Sequence, residues 1–199
     1  LNPLEHPDYL TLRSGAEVLE ADRLGDKVLR LPDGTFIKLF RRKRLLSSAA
    51  WSPYAQRFAD NAAILARHGI PCPQVIAVWR IAAIARDAVH YHPLEGETLR
   101  TLIGNGLTPE RERWLKQAFN TFVRHLHDLG IYFRSLHLGN VVLTPDDTLG
   151  LIDISDVRLH RRPLSHFWRA RNLRRMQGMD GQRDWLDHDR LLATGATPE

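Results

Sequence analysis

Asn140 and Asp153 are the residues whose types and spacing speak most directly of chemistry. They bracket two short apolar runs, 141–144 and 149–152, joined by Pro145-Asp-Asp-Thr148, which has hairpin-turn composition. If Thr144 pairs with Leu149, the same antiparallel register sets Asn140 opposite Asp153, with Cβ atoms roughly 4.5–5.5 Å apart. An amide oxygen and a carboxylate then converge on one point, a donor pair suited to a magnesium ion that carries nucleotide phosphates. In isolation, an Asn and an Asp at this spacing would be only the polar flanks of a surface hairpin. The surrounding sequence gives them weight.

Composition limits what such a site can belong to. With 199 residues, 43% hydrophobic and 26% charged, the chain has the make-up of a soluble globular protein of one domain, or one domain built as two lobes. Cys72 is the sole cysteine, which rules out an internal disulfide and suits a reducing compartment. The longest apolar run, 75–85, is broken by Arg80 and is too short to span a bilayer. No signal peptide is visible, so a cytosolic protein, or one peripheral to a membrane, is expected. The net charge of +5 is uneven: Lys38-Leu-Phe-Arg-Arg-Lys-Arg44 holds five cations in seven residues, and seven arginines with no acid lie from Arg158 to Arg175. Such clusters point to an anionic partner (nucleotide, phosphorylated lipid, membrane surface or nucleic acid) or else form a solvated face.

The elements that must position these residues are legible as patterns. Residues 16–21, 27–31 and 35–40 read as strands, separated by 22–26 and by the Pro32-Asp-Gly34 turn. A helix capped by Ser52, with Pro53 at its first position, is predicted to run to His68 and stop at Gly69. Residues 74–84 and 87–92 give two more strands, and 94–99 a turn into a short helix. From Thr108-Pro109 a long helix runs to Gly130, with Leu115, Phe119, Phe122, Leu126 and Leu129 on one face. After Pro163 a further helix reaches Met176, with Leu164, Phe167, Ala170, Leu173 and Met176 inward and its arginines outward. Beyond Gly178, partial disorder or a loosely docked helix is expected. Strands with one helix, more strands, then helices around a polar hairpin make an α+β plan. Its β-rich small lobe covers 1–93 and its mainly helical large lobe 94–199.

Six segments stand in a telling order over roughly 16–176: Phe36-Ile-Lys38-Leu-Phe, Ile64-Leu-Ala-Arg-His-Gly69-Ile-Pro71-Cys-Pro73, His90-Tyr-His-Pro-Leu-Glu-Gly96-Glu-Thr-Leu99, Leu126-His127-Asp-Leu-Gly130-Ile, Leu136-His137-Leu-Gly-Asn140 and Leu151-Ile-Asp153. Together they resemble the protein-kinase-like superfamily, and within it the bacterial lipopolysaccharide kinases of the Kdo/heptose kinase and InaA type. The resemblance implies a protein-kinase-like two-lobed fold and an ATP-dependent, magnesium-using phosphotransferase. Its acceptor would be an inner-core sugar of lipopolysaccharide at the cytoplasmic membrane face. It assigns Lys38 to the α/β phosphates, backbone groups of His92 to Leu94 to the adenine, and Asn140 and Asp153 to magnesium. His137 and His127 would order loop and helix through hydrogen bonds.

Three positions depart from the family pattern. Ser135 stands where the catalytic aspartate is expected, and a hydroxyl cannot accept a proton at neutral pH as a carboxylate does. Asn61 stands where the lysine's glutamate partner is expected, with Asp60 one residue off that face. Arg23-Leu-Gly25-Asp has one glycine where phosphate-covering loops usually have several. Losing a general base costs about 10²–10⁴-fold. Positioning and charge neutralisation carry most of phosphoryl transfer, so a slow enzyme, or a replacement carboxylate, remains open. Asp156 is the nearest such carboxylate in sequence, and Arg134 could orient a phosphate on the acceptor. The alternative is a catalytically impaired pseudokinase, a binding or scaffold module in envelope biogenesis. The expected partner is an anionic glycolipid, the lipopolysaccharide core or another phosphorylated acceptor, with peripheral membrane contact through the basic helix after Arg158. Phe167 and Trp168 are that helix's only aromatics, so nucleic acid is not expected there.

Overall fold

Residues 1–42 and 53–194 are described by the computed structural model; the chain is of mixed α+β class and divides into two units, Leu1–Leu94 and Glu95–Glu199. Among the described residues no helix is long and apolar enough to cross a membrane.

The first unit is built on a six-stranded sheet. In chain order its elements are β1 (Asn2–Pro3), α1 (His6–Ser14), β2 (Glu17–Asp22), β3 (Gly25–Arg30), β4 (Phe36–Arg41), α2 (Tyr54–Arg67), β5 (Gln74–Ile81) and β6 (Arg86–His92). The strands lie in the order β1-β5-β6-β4-β3-β2, parallel only between β1 and β5. Period-two alternation gives the sheet two apolar faces. Leu29, Ile37, Leu39, Ile81 and Ala88 pack with Tyr9 of α1. From the other face Phe36 meets Tyr91, Phe40 stacks on Tyr54, and Phe58 of α2 lies 5.1 Å from Tyr91 between ring centroids. The expected cap Ser52 lies outside the described residues, as do Lys43 and Arg44 of the basic cluster. The strand expected over 74–84 ends at Ile81; Ala82–Ile84 is a 3₁₀ turn closed by left-handed Ala85.

The second unit contains β7 (Glu97–Thr98), α3 (Leu99–Gly104), α4 (Pro109–Asp128), β8 (Ile131–Phe133), β9 (Val141–Leu143), β10 (Leu149–Leu151), β11 (Val157–Leu159), α5 (His166–Gln177) and α6 (His188–Leu192). The long helix starts as its sequence predicts, with Thr108 Oγ1 accepting from the Arg111 N–H and Pro109 in the first turn. Leu115, Phe119 and Leu126 are buried as expected, whereas Phe122 and Leu129 are half-buried and Asn120, Val123 and His127 join the inner face. Asn120 turns inward because it binds the C-terminal segment. Its Nδ2 donates to the Trp185 carbonyl at 2.7 Å, and its Oδ1 accepts from the Asp187 N–H at 2.8 Å. Over its described part, 179–194, the stretch after Gly178 is therefore docked rather than loose: Trp185 meets Phe119 edge-on at 6.2 Å and Leu191 is fully buried.

Helix α5 is rotated from its expected orientation. Leu164, Leu173 and Met176 are buried, but Phe167 is 57% exposed and Arg169 only 1% exposed. The Arg169 guanidinium pairs with Asp128 at 2.5 Å and its Nε donates to the Leu164 carbonyl at 2.9 Å. A specific ion pair, invisible to hydropathy, thus draws one arginine inward. The small strands form two antiparallel ladders, β10-β9-β7 and β11-β8. The first requires glycine at position 96: its φ is +123°, and a Cβ there would come within 2.1 Å of the Leu143 carbonyl oxygen.

Candidate active site

The β9–β10 hairpin forms where the sequence places it, one residue out of the expected register. Leu143 pairs with Leu149 and Val141 with Leu151, so Thr144 faces Thr148 rather than Leu149. The reason lies in the turn. Thr144 N–H donates to the Thr148 carbonyl at 2.9 Å, leaving a three-residue loop, Pro145-Asp146-Asp147, with Asp147 left-handed at φ 60°. The Thr144 hydroxyl closes that loop by bonding Asp146 and the Thr148 hydroxyl. Asn140 therefore pairs with Ile152, whose N–H reaches the Asn140 carbonyl at 3.0 Å. Asp153 falls just past the ladder, in a left-handed conformation (φ 53°, ψ 45°) at the start of the 3₁₀ turn Ile154–Asp156. A short polar side chain tolerates that conformation better than most, which suits aspartate at this corner. Asn140 Nδ2 donates to the Ser135 carbonyl at 3.0 Å, and this leaves the amide oxygen as the atom available to a ligand.

The second ladder brings Asp156 to the loop. Phe133 pairs with Val157 and Ile131 with Leu159, so the chain leaving β8 runs beside the chain entering β11. Ser135 Oγ donates to Asp156 Oδ2 at 2.5 Å, and Arg175 Nη1 donates to the same Ser135 oxygen at 3.3 Å. Burial raises the Asp156 carboxyl above the ordinary carboxylate range, and the nearby Asp153 charge adds to the rise; the Ser135 hydrogen bond and Arg134 pull the other way. Asp153 and Arg134 themselves are exposed.

Braces hold this loop from several sides. His137 Nδ1 accepts from the Gly139 N–H at 3.0 Å and lies 3.4 Å from Arg100. Burial lowers the His137 pKa, the Arg100 and Arg175 charges lower it further, and Asp153 opposes them. Gln182 accepts from the Leu138 N–H at 3.0 Å, so the docked C-terminal segment pins the loop's middle. His127, fully buried, bonds Asn172 at 3.0 Å, and Asn172 donates in turn to the Phe133 carbonyl at 2.5 Å, just ahead of Arg134 and Ser135. His137 thus bonds backbone directly, and His127 reaches it through the Asn172 side chain.

In the first unit, Lys38 shares its strand face with Phe36 and Phe40, the face on which α2 packs, and its ammonium lies 5.8 Å from the Phe40 ring centroid. Asn61 is buried on α2, while Asp60 is exposed and accepts from Gln56 at 2.8 Å. His92 ends β6 and is exposed; Leu94, half-buried, is the last residue of that unit. Arg23-Leu24 is the tight connection of the β2–β3 hairpin, tied by the Leu24 N–H to Asp22 at 2.8 Å.

The amide oxygen of Asn140 and the carboxylate of Asp153 are donors of the kind magnesium takes, the rest of its shell being phosphate oxygens and water. Among the described residues no group of three or more His, Cys, Asp or Glu is placed to hold a metal ion. Arg175, Arg100 and Gln182 are the site's neighbours that sequence reasoning missed. The β8 and β11 strands were readable, since Ile131-Tyr-Phe and Val157-Arg-Leu are rich in β-formers. No local pattern marks Arg175 or Gln182, which reach the loop from 40 and 44 residues away. Neither a protein-family model nor a curated protein matches this chain.

Proposed function

We propose that this protein is an ATP-dependent phosphotransferase of the lipopolysaccharide-kinase type, with a protein-kinase-like two-lobed fold, that phosphorylates an inner-core sugar of lipopolysaccharide at the cytoplasmic membrane face. The observation that carries this reading over that of a pseudokinase scaffold is the hydrogen bond from Ser135 to Asp156. That bond sets a half-buried carboxylate beside the position where the catalytic aspartate is missing, where a base would have to act. Burial makes Asp156 a stronger proton acceptor than a surface aspartate, and this favours it as the base. Asn140 and Asp153 would hold the magnesium that neutralises the nucleotide's phosphates, Lys38 would bind the α/β phosphates, and the backbone from His92 to Leu94 would meet the adenine. Arg134 would orient a phosphate on the acceptor. Exposed Phe167, with the arginines after Arg158, suits contact with an anionic glycolipid.

Transfer of label from γ-phosphate-labelled ATP to lipopolysaccharide inner core tests the reading. Wild type should transfer, and Asp156→Asn should lower the rate about 10²–10⁴-fold with nucleotide affinity unchanged. Equal rates for the two proteins would remove Asp156 as the base, and no transfer by wild type would leave the scaffold reading.

A further inference from the structure

Ser135 is bonded as a nucleophile is bonded, and this goes one step beyond the proposed kinase activity, on which it rests. Its hydroxyl hydrogen is committed to Asp156 Oδ2 at 2.5 Å, the arrangement by which an adjacent base activates a hydroxyl. A guanidinium, Arg175, donates to the same oxygen at 3.3 Å. The other carboxylate oxygen, Asp156 Oδ1, is buried with no hydrogen-bond partner among the described residues, so the carboxylate retains capacity to accept. Ser135 also stands one hydrogen bond from a proposed magnesium ligand, since its carbonyl accepts from Asn140 Nδ2 at 3.0 Å. Arg175, Ser135 and Asp156 thus form a hydrogen-bonded chain of cation, hydroxyl and base, and Ser135 lies on the loop that also carries Asn140.

We propose that Ser135 is itself a phosphoryl acceptor and becomes phosphoserine in the presence of ATP. Ser135 Oγ attacks the γ-phosphorus and an Oγ–P ester bond forms. The bond from the γ-phosphorus to the bridging oxygen breaks, and its electron pair leaves on ADP. The hydroxyl proton passes to Asp156 Oδ2. The new dianionic group then sits against Arg175, with Arg134, whose charge already acts on Asp156, to offset part of its charge.

The test uses the full chain with magnesium and γ-phosphate-labelled ATP and no acceptor, followed by proteolysis and mass-spectrometric mapping. Acid-stable phosphate on Ser135 is expected. Ser135→Ala should lose it, Ser135→Thr should keep part of it, and Asp156→Asn should slow it by about 10² or more. Calorimetric titration of the same preparations with ATP and magnesium separates the two levels. If wild type binds ATP and labels lipopolysaccharide while Ser135 stays unmodified, or if the phosphate maps elsewhere, this inference is overturned and the kinase reading stands. Phosphate on Ser135 with no transfer to lipopolysaccharide would uphold the inference and remove the lipopolysaccharide acceptor. Absence of ATP binding would overturn both.

Discussion

A carboxylate already bonded to the Ser135 hydroxyl changes what substitution at that position should do. From sequence alone, Ser135→Asp looks like restoration of a missing base. In the structure the new carboxylate would face Asp156 at hydrogen-bond distance, and two carboxylates so placed cannot both ionise. Arg175, 3.3 Å from the Ser135 oxygen, offsets only part of that repulsion. Ser135→Asp should therefore give transfer no faster than wild type, together with a lower denaturation midpoint; a clear gain in initial rate would contradict the assignment of Asp156. In the sequence, Asn140 and Asp153 stood out by type and spacing, and Asp156 only as the nearest carboxylate to them. The contact between Ser135 and Asp156 was not legible there, because it depends on a ladder of two three-residue strands, β8 and β11.

Among the elements, the loop is held by buried polar contacts, and one of them makes stability depend on pH. Burial lowers His127 from its usual 6.5 to about 4, so the folded chain keeps the ring neutral where the unfolded chain protonates it. With the folded pKa depressed, His127's contribution is fully present above pH 6.5 and declines as pH falls towards 4, by on the order of 3 kcal/mol in total. Urea titrations across that span should show wild type losing more stability than His127→Gln. Parallel curves would mean that the ring is not held neutral. The hairpin shows where sequence reasoning stops at this scale. The two apolar runs fixed the strands, but the register depended on whether three or four residues make the turn. The left-handed Asp147 and the Thr144 hydroxyl decided for three. Helix α5 failed for a different reason: its period identified the helix, and the Arg169–Asp128 pair set its rotation.

Across the whole molecule the α+β class followed from the order of periodic segments, since alternation and helical spacing persist over many residues and outweigh single contacts. The basic character after Arg158 was equally visible, and the structure refines it. Arg169 is withdrawn into its ion pair, while Arg158, Arg161, Arg162, Arg171, Arg174 and Arg175 remain exposed, with Phe167 beside them in sequence. The Trp168 ring packs on Tyr132 at 5.3 Å and His160 at 5.0 Å, and it backs that surface. Vesicles containing anionic phospholipid should bind the protein and release it as salt rises, and neutral vesicles should not. Removing one exposed arginine should cost ~1 kcal/mol, about fivefold in affinity, and Phe167→Ala should weaken binding at every salt concentration. Equal binding to neutral and anionic vesicles would contradict the electrostatic account.

Calorimetric titration with ATP puts the proposed magnesium–nucleotide site to its plainest test. Wild type and Asp153→Ala would be titrated with and without magnesium, with their circular dichroism spectra compared to establish that both are folded. Saturable, magnesium-dependent binding by wild type, lost in folded Asp153→Ala, is the predicted result. No binding by wild type at millimolar ATP, or equal binding by the variant, would contradict it.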